Sequence, residues 1–224
     1  MTNRRRKTKI KFVFEPGTYQ KDFYIRHTHS NMQKLARMFP VQLLSLTVHI
    51  FRNKNSFLKT LPTKKVPTWF IAHVPKNSTS CIYIFDNKDS ITSKKTLSQV
   101  LLHEMTHLYI NILNPKLSDW LKEGISVYVA AQIFKPSIST TDWKKIAQKN
   151  IPFRGVSWKF AAKYNGYNIA GLLVMFFVRL YGWKKFIAAI NSHKLTRFSV
   201  TSIPLYFGDN PHDVMADFKK YFVK

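Results

Sequence analysis

Apolar and polar positions change period several times along the chain. Leu44, Leu46, Val48 and Ile50 alternate with Ser45, Thr47 and His49, the period-two pattern of a strand with one buried face. Two further β-rich runs, 69–74 and 81–85, flank Pro75, Lys76, Asn77 and Ser78, which predicts a hairpin. Helical spacing surrounds these strands. Ser30 and Gln33 are spaced as a capping box, Met32, Leu35, Ala36 and Phe39 follow at helical intervals, and Pro40 ends that segment. Thr96 and Gln99 repeat the capping signal, and Leu97, Val100, Leu101, Leu108 and Ile112 extend a helix to 113, where Asn114-Pro115 stops it. Ser118 then caps a helix carrying Asp119, Trp120, Leu121, Glu123, Ile125, Val127 and Tyr128, closed by Pro136. The remainder reads as helical at 141–149, 165–180 and 183–192, with a last helix entered through Asn210-Pro211, carrying Asp213 in its first turn and ending at Phe222. A mixed first half and a helical second half predict an α+β fold.

The chemistry lies on the two central helices. Glutamate occurs three times in 224 residues, and two of the three fall in adjacent patterns: Glu104 within His103-Glu104-Met105-Thr106-His107 and Glu123 within Trp120-Leu121-Lys122-Glu123-Gly124. Residues four apart on an α-helix lie about 40° apart around the axis, so His103 and His107 share a face and can share a metal ion. Glu104 stands beside the first imidazole, where its carboxylate can reach a metal-bound water as general base. A short Asn114-Pro115 reversal returns the chain antiparallel, which brings the Glu123 carboxylate back beside the metal helix, while Gly124 allows close backbone approach. Two imidazoles and one carboxylate leave a fourth position open, the catalytic rather than the structural pattern for zinc. Apolar residues around the motif predict that His103, His107 and Glu104 are largely buried.

These stretches resemble the gluzincin metalloproteases, most closely their peptidase MA-like branch, in which H-E-x-x-H on one helix is followed by W-L-x-E-G on the next. A third block, Tyr167-Asn168-Ile169-Ala170-Gly171 leading to Tyr181-Gly182, is similar to the family's later helix. The resemblance covers residues 65–190. It implies a zincin-like, two-lobed α+β domain: an upper lobe of about 12–113 with a mixed sheet and the metal helix, a helical lower lobe of about 114–224, and an active-site cleft between them. It also implies one zinc ion on His103, His107 and Glu123, Glu104 as general base, a transition-state tyrosine at Tyr167 or else Tyr164, and peptide or protein substrates. By the same resemblance the strand at Cys81, Ile82, Tyr83 and Ile84 is the edge strand that pairs with an extended substrate backbone. Lys122 departs from the family, where Asn is frequent.

Composition narrows the setting. A hydrophobic fraction of 45% over 224 residues suffices for one cored domain. The single cysteine, Cys81, excludes an internal disulfide and reads as a strand residue, although as a fourth ligand it would close the zinc site. Residues 1–11 form a basic arm expected to be disordered. Arg4 to Lys11 is followed by too few apolar residues for a secretory h-region, so a cytoplasmic location is expected. The apolar stretch 170–178 ends at Arg179, too short to cross a bilayer. Thirty-six Lys and Arg against eleven Asp and Glu give +25, which predicts nonspecific attraction to polyanions or an anionic surface. Basic pairs are scattered and the aromatics read as core, so no nucleic-acid module is legible. His27, His29, His49, His73, His193 and His212 lack ligand spacing and are assigned to surface or strand. A basic binding protein with a catalytically silent zinc site is the alternative reading.

Overall fold

Alternation at 44–50 becomes strand β2, Ser45–Phe51, in which Leu46, Val48 and Ile50 are buried and the residues between them are partly exposed. A computed structural model describes residues 8–61, 70–86, 94–147, 165–192 and 202–224. The chain divides into two compact units, Met1–Leu113 and Asn114–Lys224.

The first unit holds a mixed four-stranded sheet of order β1-β2-β4-β3: β1 is Lys9–Phe14, β3 is Ala72–His73 and β4 is Cys81–Phe85. Strands β1, β2 and β4 are parallel, and β3 closes the expected hairpin antiparallel to β4. Its turn is set by Asn77 at φ 60° and by the Ser78 N–H donating to Pro75 O at 2.8 Å. Lys9 to Lys11, expected in a disordered arm, are instead part of β1, because Ile10 and Phe12 alternate with the exposed Lys9 and Lys11. Residues 1–7, Trp69 and His193 lie outside the described residues.

Helix α1 is Lys21–Met38 and begins nine positions before the Ser30 signal. Its buried face runs through Tyr24, Thr28, Asn31 and Leu35. Thr28 and Asn31 occupy two of those four positions, so the apolar period is hidden and an apparent capping box falls mid-helix. A short α2, Lys54–Leu58, was not expected; Asn53 caps it through Oδ1, which accepts from the N–H groups of Asn55 and Ser56 at 2.8 and 3.2 Å. Helix α3, Lys94–Leu113, packs on α1 and against β3 and β4.

Glu15, the glutamate outside the motifs, fastens the end of β1 to the start of α2: one carboxylate oxygen accepts from the N–H groups of Arg52 and of Asn53, the latter at 2.6 Å. The Asn53 N–H, aided by Arg52 and opposed by partial burial, holds this carboxyl below its usual value. Its contribution to stability is therefore present above the ordinary carboxylate range and is lost as pH falls through the lowered folded-state value. Glu15→Gln is expected to reduce the loss of stability between about pH 6 and about pH 3, read as the shift in urea midpoint. An unchanged acid-side slope would remove this role.

The second unit is helical: α4 Asp119–Val129, α5 Thr140–Ala147, α6 Gly166–Tyr181, α7 Trp183–Asn191, α8 Ser202–Tyr206 and α9 Pro211–Phe222. Helix α9 starts as expected, with Pro211 at its first turn and Asn210 Oδ1 accepting from the His212 N–H at 3.0 Å. A bridge between Ile138 and Val223 ties the chain's end to the segment before α5. Among the described residues the fold is thus α+β, with four strands and nine helices, and no helix there is long and apolar enough to cross a membrane.

Candidate metal centre

The apolar positions that make α3 a helix also anchor it. Leu97, Leu101, Met105, Leu108 and Ile110 are buried, and Asn111 Nδ2 donates to Ser78 O at 2.9 Å, pinning the helix to the β3–β4 turn. His103 and His107 leave one face of this helix as expected, with ring centroids 4.9 Å apart and their Nε2 atoms 3.1 Å apart. Between them Thr106 turns inward, its hydroxyl donating to Leu102 O at 2.7 Å. His103 is 8% exposed, and Glu104 and His107 are partly exposed, so the first imidazole is the most deeply buried of the three.

Glu123 arrives from α4. Asn114 shapes the connection: its Oδ1 accepts from the Lys116 N–H, its Nδ2 donates to Ile190 O, and its carbonyl accepts from the Leu117 N–H, all at 3.1 Å. Ser118 occupies the cap position expected of it, and its carbonyl accepts from Leu121 and Lys122. Lys122 turns back to donate to Pro115 O at 3.0 Å. One ligand atom from each of His103, His107 and Glu123 lies within 4.8 Å of the others. Cys81, on β4, is outside that group, and partial burial raises its thiol pKa.

The donors suit a divalent ion. Two ligands of one tetrahedral zinc, each about 2.05 Å from it, stand about 3.3 Å apart, close to the 3.1 Å between the imidazole nitrogens. Nitrogen, nitrogen and carboxylate oxygen form a donor set that leaves a coordination position for water or substrate.

Gly124 does permit a close approach, to α6. A Cβ there would stand 2.5 Å from Ala170 O, and one at Gly171 would stand 2.5 Å from Val127 Cγ1. The two helices therefore meet backbone to backbone right after Glu123. Tyr167 lies in the first turn of α6, three positions before Ala170 and so on the same side of that helix. Tyr164 lies outside the described residues. Asn168, beside Tyr167 and 5% exposed, was not singled out in the sequence; its Oδ1 accepts from Phe134 and Lys135 N–H and its Nδ2 donates to Lys135 O, each at 3.1 Å. An amide within an otherwise apolar helix was the available signal. Tyr128 stacks on Trp183 at 5.8 Å.

The expected substrate edge is corrected. Strand β4 lies inside the sheet: Tyr83 pairs with His49 on one side and His73 on the other, and Ile84 pairs with Ile50 and Ala72. Among the described residues the edge positions belong to β1 and β3.

Residues 76–218 match the family described as peptidase of plants and bacteria. That span exceeds half of the chain and contains His103, Glu104, His107, Glu123 and Tyr167. The chain belongs to this family. Membership makes it a peptidase relative whose family match takes in both helices of the candidate centre. No curated protein and no solved structure is matched.

Proposed function

We propose that this chain is a zinc-dependent peptidase of the gluzincin type. The convergence of two imidazoles and one carboxylate within 4.8 Å carries the reading, and membership of a peptidase family supports it. His103, His107 and Glu123 would hold one zinc ion, which supplies Lewis acidity toward water and a peptide carbonyl. Glu104, next to the first ligand, accepts the proton of the attacking water and returns it to the leaving amine. Tyr167 donates to the developing oxyanion. The reading includes the two-lobed zincin organisation expected from the resemblance and a peptide or protein as substrate.

The test is metal content beside cleavage of unfolded casein. The parent protein is expected to carry one zinc per chain and to lose cleavage on chelation. His103→Ala is expected to lose zinc and turnover together, since two remaining donors no longer close on the ion. Stoichiometric zinc with no chelator-sensitive cleavage would leave the silent metal site of a basic binding protein as the better account.

A further inference from the structure

A second polar cluster lines a groove in the first unit. Strands β1 and β4 are each followed by a helix, and those helices, α1 and α3, pack against each other. Between them runs a cavity of about 1090 Å³, walled by the entry and first turns of α1 and, on α3, by Ser98 and Gln99. Phe23, Arg26, His27 and Ser30 recur at intervals of three and four, so a single face of α1 turns toward it. Lys21 and Arg26 belong to this wall, and neither is paired with a carboxylate among the described residues. Asp22, the acid beside them, is exposed and offsets only one of the two charges. His27 bridges the groove: its Nδ1 lies 3.0 Å from Ser98 Oγ, and its ring rests 4.1 Å from that of Phe23. Burial, with the charge of Arg26 added, holds this imidazole below its ordinary pKa, so it is neutral in mild alkali. A neutral imidazole and a hydroxyl carry two polar hydrogens, and one is used between them. The pair therefore keeps another to donate.

We propose that this groove binds a small organic phosphate monoester, its dianion held by Arg26 and Lys21 and hydrogen-bonded by the His27–Ser98 pair and Ser30. Such a group needs an excess of positive charge and donors that reach several oxygens from different sides, which guanidinium, ammonium, imidazole and hydroxyls drawn from two helices supply. A carboxylate has one charge and two oxygens. It would leave part of that set unused. The cavity exceeds a phosphate group several times over, leaving room for an organic body, and Tyr19 stands 59% exposed at its wall to contact one. The net charge of +25 attracts any anion, so what marks this site is that particular residues matter and equal charges elsewhere do not. The proposal does not depend on the metal centre.

The probe is phenyl phosphate, titrated calorimetrically into the full chain at about pH 8, where the ester is a dianion, and about 0.15 M salt. Phenyl sulfate, a monoanion of the same shape, should bind at least roughly tenfold more weakly. Arg26→Ala should weaken phenyl phosphate binding roughly tenfold, whereas Lys184→Ala, which removes an equal exposed charge from the second unit, should change it by less than about twofold. On the parent, the ester should shift the imidazole nitrogen resonances of His27 and leave those of the exposed His212 in place. His103→Ala should bind as the parent does; loss of binding there would place the phosphate on a metal and overturn the proposal. Equal affinity for the two esters, or His27 resonances that stay still, overturns it on the parent protein alone, so a variant that fails to fold leaves the test intact. A folded Arg26→Ala that binds like the parent, or a Lys184→Ala that weakens binding as much, reduces the attraction to general charge and overturns it too.

Discussion

Glu104→Gln is expected to lower kcat/KM for peptide cleavage by roughly 10²- to 10⁴-fold, the range a positioned general base contributes, while zinc stoichiometry stays at the parent's value. The amide nearly matches the carboxylate in shape, so the helix and the two imidazoles are undisturbed. What disappears is the ability to accept a proton. Because Glu104 is partly exposed, the replacement creates no buried unpaired amide, and the melting temperature should move little. Zinc analysis, thermal melting and casein cleavage on one preparation check the three statements together. A variant that cleaves as fast as the parent ends the general-base assignment; one that loses zinc shows that Glu104 helps to hold the ion.

The second large effect belongs to a residue with no chemistry. Gly124→Ala should destabilise the protein by about 1–3 kcal/mol, although alanine is the better helix former by about 1 kcal/mol. The new Cβ would sit 2.5 Å from Ala170 O and 2.9 Å from Val174 Cγ2. A carbonyl oxygen belongs to the backbone and cannot rotate away, so α4 must back off from α6. Glu123 immediately precedes the point of contact, so zinc affinity should fall as well, roughly 10- to 100-fold if the carboxylate is misaimed. Gly171→Ala meets Val127 Cγ1 at the same distance, but a side chain has more freedom to yield, so its effect should be smaller. Thermal unfolding and a zinc titration on both variants decide. If Gly124→Ala melts with the parent and binds zinc equally well, the crossing does not position the ligand.

Legibility in the sequence followed the physics of each signal. The metal helix was plain because both its apolar period and its His spacing repeat within one element, and local geometry translates such spacing directly into a shared face. Strand β2 was plain for the same reason. Helix α1 was misjudged at its start because Thr28 and Asn31 sit at buried positions, which periodicity counts as exposed. Strand β1 was hidden by its lysines, since pairing to β2 is a long-range event that a local reading of charge does not register.

The amino-acid order by itself determined which side chains could act together along a helix: two imidazoles four apart, a carboxylate beside the first and another after a proline-marked reversal. It also determined the α+β class, through the succession of periods two and 3.6. Tertiary structure alone decided strand order, and with it that β4 is paired on both flanks, and that Gly124 answers to Ala170. Those outcomes rest on contacts between residues distant along the chain, where closure and packing choose among arrangements that local propensity leaves equally open.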